Sequence, residues 1–352
     1  MLLLGVLTVI ILYYARPFLV PFTFGILFAM LMVPVSNKLE NWGLGRKTAT
    51  FVCILIILLG VGGIVAIISA QATSFSKDLP QIQLKVQQLI DTVQHWIQSQ
   101  FGVSPEKQLH FMKQQVARFS NSANAFATTF LAAAFSILGG FVLMLLYFFF
   151  LMWKREKYEA FFLRLTSNER QNEVKRELRE ITKVASQYLV GRLISMFFLI
   201  TVYAIGFSII GLKNAVLVSF IAVLPTIIPY IGAYIGGIFP IIMALITGST
   251  STAIPVIILL MAAQTIDNNV IEPLAEGESL NISPIITIIA LVVGHLLWGV
   301  AGMVLFVPLF AIIRIICEHV PALNPYGFLL ANDVEDSEWM GKVKKWLKDR
   351  KK

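Results

Sequence analysis

The chain has 352 residues, of which 57% are hydrophobic and 14% are charged, whereas soluble domains carry about 25% charged residues. This composition argues against an ordinary soluble protein and predicts an all-α polytopic membrane protein, because helices satisfy their own backbone hydrogen bonds in lipid. The formal net charge is +8, but seven Lys/Arg against one acid lie in 339–352. A basic tail of this kind indicates contact with the membrane surface rather than nucleic-acid binding.

Apolar runs between charged residues predict about eight transmembrane segments, since roughly 20 apolar residues span a bilayer as a helix. The predicted segments lie within 2–14, 18–35, 48–74, 123–153, 193–211, 216–245, 253–266 and 284–316. Arg16, Pro17 and Pro21 predict a turn between the first two, because proline and the residue before it resist helix. The last segment is long enough to be broken or to double back.

Residues 75–122 are predicted to form a helical hairpin outside the membrane. Apolar residues recur at intervals of three and four between 79 and 96 and again between 109 and 130, which is typical of two helices with narrow apolar seams. The sequence FGVSP (101–105) separates them with a glycine, a serine cap and a proline.

Lysine and arginine are concentrated in two loops, as is usual for the cytoplasmic loops of membrane proteins. Segment 36–47 holds three Lys/Arg against one Glu, and segment 154–183 holds nine against six Glu. In an eight-span arrangement both loops and the tail lie on one side, which predicts that both termini are cytoplasmic. The sequence IDNNVIEP (266–273) is then expected near the outer face.

These features divide the chain into six predicted regions. They are spans one to three (1–74), the outer helical hairpin (75–122), span four (123–153), cytoplasmic amphipathic helices (154–190), a transmembrane transport core (191–318) and a cytoplasmic basic tail (319–352). The amphipathic helices are expected to rest on the membrane surface or on the bundle. Arg192 and Arg314 are expected to extend their charges to the membrane interface.

The charge-free stretch 214–266 contains four prolines. Proline removes a helical hydrogen bond, and lipid tolerates broken helices only inside protein or beside a water-filled cavity. The break PTIIPYIG falls in mid-segment and contains Pro225, Pro229, Tyr230 and Gly232. Carbonyls freed by such a break can bind ions or polar solutes. The alternative is a kinked span that binds nothing.

The sequence IDNNVIEP ends that stretch with Asp267, Asn268, Glu272 and Pro273 at the edge of apolar sequence. An ionised group at bilayer depth is costly, so acids there usually face a cavity or a partner, where a carboxyl can exchange protons or bind a cation. The alternative is that both acids lie in a wet interfacial loop. The asparagines suit either place.

The third candidate motif is GHLLWGVAG (294–302). Gly299 and Gly302 allow close backbone approach, and His295 is the only histidine well inside an apolar run. His295 can carry protons, or it can simply hydrogen-bond to a neighbouring helix. Together the three motifs predict a substrate or ion pathway between residues 225–240, 267–273 and 294–308.

Enzyme motifs are missing from the sequence, which contains no HExxH, no GxSxG and no P-loop. Their absence argues against intramembrane metalloproteolysis and serine hydrolysis, and ATP-driven pumping would need another subunit. Cys53 and Cys317 stand far apart and form no CxxC, so they predict packing rather than a metal or redox site. We therefore expect no catalytic residues, no metal ligands and no cofactor.

Five segments resemble the AI-2E family of transporters, also called the autoinducer-2 exporter or PerM-like permease family. They are PFLVPFTFGILFAMLMVP (17–34), YLVGR (188–192), PTIIPYIGAYIGGIFP (225–240), DNNVIEP (267–273) and GVAGMVLFVPLFAI (299–312). Their order matches the family across nearly the whole chain. The Pro-Tyr-Ile-Gly and Asp-Asn…Pro elements are the specific ones, and Arg192 stands where members often have glutamine.

The resemblance implies a bacterial inner-membrane protein with about eight spans that forms a homo-oligomer, with a pentamer suggested. It implies export of a small polar solute similar to autoinducer-2, or sodium/proton antiport. The expected partners are the lipid bilayer and a small polar solute, a monovalent cation or a proton, without nucleic acid. A non-transporting membrane scaffold or sensor, built on the outer hairpin and the basic tail, is the alternative from another class.

Overall fold

The computed structural model describes residues 2–101, 139–247, 250–276 and 280–332. The helices are α1 Leu2–Tyr14, α2 Arg16–Asn41, α3 Arg46–Phe101, α4 Gly139–Trp153, α5 Arg155–Arg164, α6 Gln171–Ile210, α7 Ala215–Val223, α8 Ile231–Thr247, α9 Thr250–Ile266, α10 Glu272–Glu276, α11 Pro284–His319 and α12 Asn324–Leu330. Within these ranges the only β-type hydrogen bonding is an isolated antiparallel bridge between Ile282 and Ala331. The second helix of the predicted outer hairpin and most of the basic tail lie outside the described residues.

Helices α1 and α2 are separated by Ala15 alone. Pro17 stands in the first turn of α2, where its missing N–H costs nothing, and Pro21 lies inside the helix. The predicted proline turn is therefore only one residue long. Helix α3 joins the predicted third span to the first outer helix in one helix of 56 residues. At 1.5 Å per residue it is about 84 Å long, so it extends far beyond the bilayer core of about 30 Å.

The two basic loops meet on one side of the bundle, which we call the basic face and define by Glu40, Arg46, Arg155 and Glu156. Glu40 lies 3.0 Å from Arg155 and 3.5 Å from Arg46, and Arg46 lies 2.8 Å from Glu156. These contacts connect the end of α2 with the beginnings of α3 and α5. Helix α6 starts near this face and continues without a break, so the predicted amphipathic helix and the fifth span are one helix.

The apolar segment after α6 forms a helical hairpin. Helix α7 leads into a 3₁₀ turn, Leu224–Ile227, and α8 returns beside α7. A β-carbon on Gly236 would overlap the carbonyl oxygen of Ala222, and one on Gly232 would overlap the carbonyl oxygen of Pro225. The two backbones can approach so closely only because glycine has no side chain.

We call residues 215–247 the first hairpin and residues 224–230 its tip. The hairpin returns to the side on which it began, which corrects the prediction that residues 216–245 cross the membrane. Helix α9 therefore starts beside the end of α6 and runs antiparallel to it, with Leu259 of α9 packed against Gly206 of α6. Hydropathy alone cannot distinguish a returning hairpin from a crossing, since both need only apolar residues.

Helix α11 also doubles back. Its backbone leaves the helical region at Gly299, with φ 63° and ψ −142°, a left-handed φ that glycine adopts readily. A β-carbon on Gly302 would overlap the carbonyl oxygen of Gly294, and the rings of Trp298 and Phe306 meet edge to face with centroids 5.1 Å apart. Residues eight apart in a straight helix are separated by about 12 Å. We call α11 the second hairpin.

The base of the second hairpin lies beside the first half of α6. His319 is 3.9 Å from Glu180, and the Ser283 N–H donates to the carbonyl of Leu330 at 3.0 Å, so α12 folds back onto the base.

The described residues form three buried cores. The first is built from α6, α7, α8 and α9, the second joins α2 and α6 to the second hairpin, and the third joins α2, α3 and α4. Among the described residues, α2, α3, α6, α9 and α11 include five stretches that are long and apolar enough to cross a membrane. The fold is that of an all-α polytopic membrane protein.

Candidate functional site

A cavity of about 1230 Å³, which we call the main cavity, lies between α6, the tip of the first hairpin, α8, α9 and the base of the second hairpin. Its wall combines apolar and polar side chains. The polar ones are Tyr188, Arg192, Tyr203, Thr226, Tyr230, Tyr234, Gln264, Thr265, Asn268, Glu272, Asn281, Thr287 and Asn332. A concave site with a few convergent polar groups is the usual form of a small-molecule binding site.

Arg192 connects three elements at the wall of the main cavity. Its Nη1 donates to Glu272 Oε1 at 3.0 Å, and its Nη2 donates to the backbone carbonyl of Thr226 at the tip of the first hairpin. The arginine side chain is only 10% exposed. The predicted extension of Arg192 to the interface is wrong, because its two Nη atoms donate to a carboxylate and to a tip carbonyl inside the protein. Arg314 is likewise buried and lies 3.1 Å from Glu318.

Asp267 is buried beside this ion pair. It is 2% exposed, and Ser195 Oγ lies 2.6 Å from each of its carboxylate oxygens. Asp267 begins a π-helical turn, Asp267–Ile271. Because one π turn closes between residues five apart, Asp267 and Glu272 both face α6, where they meet Ser195 and Arg192. Turns of this kind occur frequently at functional sites.

The depth of Asp267 differs from the sequence-based expectation. We expected it near the outer face, because residues 216–245 were counted as a crossing. Since the first hairpin returns and α9 is antiparallel to α6, the pair Asp267 and Glu272 lies instead toward the end of α6 that starts near the basic face. The apolar part of α6 begins at about Tyr188, and Ser195 lies about two turns further in. The burial of Asp267 also excludes the interpretation that it lies in a wet loop.

The structure brings two of the three predicted motifs together. Five predicted pathway residues line the main cavity: Pro229, Tyr230, Asn268, Glu272 and Pro273. Pro225 and Gly232 form the close backbone contact that shapes the tip, and Asp267 is buried behind the wall. The π turn carries further polar contacts, since Gln264 Nε2 donates to Asn268 Oδ1 at 3.0 Å.

The third motif lies apart from the main cavity. His295 is exposed on the first limb of the second hairpin, and neither it nor Gly299 nor Gly302 lines the cavity. The two glycines instead shape the reversal of α11 and the contact between its limbs. The same motif contributes Trp298, whose Nε1 donates to the carbonyl of Leu12 at 2.9 Å, so it connects the second hairpin with α1.

Three groups at the site were not assigned to it from the sequence: the Arg192 guanidinium, the Ser195 hydroxyl and the Thr226 carbonyl. The role of Arg192 could have been predicted from the sequence, because a lone arginine inside an apolar run normally pairs with an acid or a carbonyl in the bundle. Nothing in the sequence distinguished Ser195 from other serines, since serine is common in membrane helices. The Thr226 carbonyl becomes available only because the α-helix ends before the 3₁₀ turn at the tip of the first hairpin.

The site favours polar or cationic ligands. When all three groups are ionised, Arg192 contributes one positive charge and Asp267 and Glu272 contribute two negative charges, so the cluster keeps one negative charge in excess. The wall adds tyrosine hydroxyls, side-chain amides and threonine hydroxyls, which both donate and accept hydrogen bonds. No cluster of three or more His, Cys, Asp or Glu that could hold a metal ion occurs in the part of the chain that the structure describes.

Comparison with known proteins assigns the family. The sequence model of the AI-2E family transporter matches residues 2–322. The chain belongs to the AI-2E family. The matched range contains both hairpins and all of the main cavity's lining residues except Asn332.

Relatives of this AI-2E family member carry transport names. The AI-2 transport protein TqsA of Escherichia coli (strain K12) is 22% identical over 333 residues, which cover 94% of each chain. A protein of Bacillus subtilis (strain 168) named "Putative transport protein YueF" is 25% identical over 306 residues, 82% of this chain and 80% of that one. A "Putative transport protein" of Haemophilus influenzae is 25% identical over 354 residues, 95% and 97% of the two chains. Family and fold together make the chain a membrane transport protein.

Proposed function

We propose that this protein is a secondary transporter, or permease, that exports a small polar solute through the main cavity. One observation carries the proposal: the cavity wall holds the Arg192–Glu272 ion pair at 3.0 Å, with the carboxylate of Asp267 buried beside it. Buried ionisable groups in membrane helices are costly and usually mark a substrate or ion path.

The contacts of Arg192 also provide a mechanism by which access to the main cavity changes. Arg192 holds the carbonyl of Thr226, so the tip of the first hairpin is attached to α6 and α10 through one side chain. A solute that competes for the guanidinium or for Glu272 loosens that attachment and frees the tip to move. Alternating access by movement of one element against a fixed site is common in secondary transporters.

The substrate class follows from the wall of the main cavity. Hydroxyl and amide groups around an arginine suit a compact molecule rich in hydroxyl or carbonyl oxygens. The printed name of TqsA gives AI-2 as what that relative transports, and we propose a solute of similar size and polarity here. The absence of a P-loop in the sequence favours a solute or ion gradient as the driving force.

A second candidate is exchange of sodium or another monovalent cation for protons. Asp267 favours it, because a carboxylate at 2% exposure with one hydroxyl partner retains oxygen lone pairs that can take a proton or a cation. The two candidates differ in what crosses the membrane, and they use the same carboxylates.

We further propose an inner-membrane location in which the basic face is cytoplasmic and both termini lie on that side, following the excess of lysine and arginine there. A homo-oligomer is proposed as well, because apolar side chains are exposed along both α1 and the membrane part of α3. Lipid and a second copy of the chain can both cover such a surface.

The test is a flux measurement with purified protein in liposomes, using autoinducer-2 efflux and a sodium-dependent pH change as the two readouts. Asp267→Asn is expected to lower the relevant flux at least about tenfold, a loss of roughly 1.4 kcal/mol of transition-state stabilisation. Asp91→Asn, the same change at an exposed position on α3, is the matched control and should retain flux.

The outcomes separate the three functional classes. Autoinducer-2 efflux lost in Asp267→Asn supports the solute permease, and loss of cation-dependent proton movement alone supports the antiporter. Normal flux of every solute in Asp267→Asn would remove Asp267 from the mechanism. Absence of flux in the wild-type protein, with cellular function abolished by deletion of residues 78–118 but not by Asp267→Asn, would instead support the scaffold or sensor.

A further inference from the structure

A second cavity, of about 700 Å³, opens between α2, α4, α5 and α6 beside the basic face. We call it the interfacial cavity, and it shares no lining residue with the main cavity. Apolar side chains form its deeper wall, among them Ile26, Ala29, Met30, Val33 and Met152. Charged side chains form its rim, namely Arg155, Glu156, Glu159, Lys175, Arg179 and Lys183.

The two acids on the rim are already engaged. Glu159 lies 3.2 Å from Lys175, and Glu156 lies 2.8 Å from Arg46, whose hydrogen bond to that carboxylate lowers the pKa of Glu156 below its ordinary value. Each of these acids is therefore paired with a cation other than Arg179 and Lys183. Neither has spare charge to balance the remaining cations of the rim.

Those remaining cations are Arg179 and Lys183, which lie four residues apart on one face of α6. Neither forms an ion pair with any acid in the described parts of the chain. Arg155 adds a further donor, since its Nη1 is buried and has no hydrogen-bond partner among the described residues. The rim thus presents unbalanced positive charge above an apolar floor.

We propose that the interfacial cavity binds an anionic phospholipid, with the headgroup phosphate on Arg179 and Lys183 and an acyl chain against Met30 and Val33. Basic pockets between membrane helices recognise the headgroups of such lipids. The apolar floor selects a lipid over a soluble phosphate ester, because only a lipid has hydrocarbon to place there.

The depth of the rim fits this ligand. Lys183 lies five residues before Tyr188, where the apolar part of α6 begins, which is about 7.5 Å along the helix. The headgroup layer occupies roughly 5–8 Å on each side of the apolar core. Lys183 therefore stands at headgroup height, while the α2 side chains of the floor belong to an apolar run at hydrocarbon depth.

The experiment titrates the full-length protein in neutral detergent and counts bound lipid by native mass spectrometry. The probes are short-chain phosphatidylglycerol, phosphatidylcholine with the same chains, and sn-glycerol 3-phosphate. Wild type should bind phosphatidylglycerol in preference to the other two. The double variant Arg179→Gln/Lys183→Gln should bind it about 25-fold more weakly, because each cation near an anionic lipid contributes a factor of roughly five.

Two further double variants serve as controls for loss of folding. Lys157→Gln/Arg176→Gln removes the same two residue types from exposed positions outside the cavity, and Arg179→Lys/Lys183→Arg keeps both charges. Each should bind phosphatidylglycerol within about threefold of wild type.

Four results would overturn the proposal: equal binding of phosphatidylcholine, equal binding of glycerol phosphate, wild-type binding by Arg179→Gln/Lys183→Gln, or equal weakening in Lys157→Gln/Arg176→Gln. The second result would replace the lipid by a soluble phosphate ligand, and the fourth would indicate a general effect of net charge. None of these measurements depends on transport.

Discussion

Ser195 and Asp267 lie on different helices, and the serine Oγ is 2.6 Å from both carboxylate oxygens of the aspartate. A hydroxyl has only one proton to donate, so the carboxylate has one side-chain donor for several lone pairs. Asp267 is buried at 2% exposure, next in sequence to Asn268, which lines the main cavity. This relationship makes Asp267 the group on which the transport proposal depends.

Replacing Ser195 by alanine tests that relationship. Hydrogen bonds to charged groups contribute about 1.5–3 kcal/mol, so Ser195→Ala should lower the free energy of unfolding by about 2 kcal/mol and reduce flux. Asp267→Asn in the Ser195→Ala background should lower flux little further, since both changes affect one unit. Unfolding in detergent and liposome flux provide the readouts.

Ser219→Ala is the matched control for that test. Ser219 is fully buried, but its Oγ donates at 2.7 Å to Ala215 within its own helix. Its removal should leave flux unchanged. Fully additive losses of flux in the double variant of Ser195 and Asp267 would contradict the shared role.

Arg192→Gln should destabilise the protein, because it leaves Glu272 and the Thr226 carbonyl without their donor. Breaking a buried pair costs about 3–5 kcal/mol, but the Glu272 side chain is 32% exposed, so we expect about 2 kcal/mol. Adding Glu272→Gln should recover part of the loss by removing the unpaired acid. A thermal unfolding series of the two single variants and the double variant measures the coupling, and strictly additive losses would show that the pair contributes nothing.

Gly302→Ala should disrupt the second hairpin. A β-carbon at this position would overlap the backbone of Gly294, and overpacking of a close contact typically costs 1–3 kcal/mol or more. Gly63→Ala on α3, where nothing lies within 4 Å, should be neutral or slightly stabilising. Size-exclusion profiles and melting temperatures distinguish the two. Equal behaviour of both variants would mean that the limbs of α11 are not in contact.

The sequence predicted the all-α membrane fold and the break at PTIIPYIG, because composition and proline position are local properties. It did not predict that residues 215–247 return, since the return depends on contacts such as Gly236 against Ala222. Because of that difference, Asp267 lies toward the basic-face end of α6 and not near the outer face, where it was expected. Errors in counting spans therefore become errors in locating a site.

The site itself was predicted only in part, because its contacts also depend on how distant segments pack. Asp267 and Glu272 were identifiable as acids in apolar sequence, and the structure brings Glu272 to Arg192. The role of Arg192 was misread, because the choice between a membrane interface and an internal partner depends on where the tip carbonyl of Thr226 lies. His295 stood out only as a lone histidine, and the fold places it on an exposed surface.

Thiol block of the main cavity tests the transport path most directly. Thr265 is exposed and lines the cavity, Ser167 is exposed outside it near the basic face, and both native cysteines, Cys53 and Cys317, are buried. A bulky charged thiol reagent should reduce flux of autoinducer-2 or sodium-coupled protons at least about tenfold in Thr265→Cys and leave Ser167→Cys unchanged. Undiminished flux in a Thr265→Cys protein that mass spectrometry shows to be fully modified would contradict a path through this cavity.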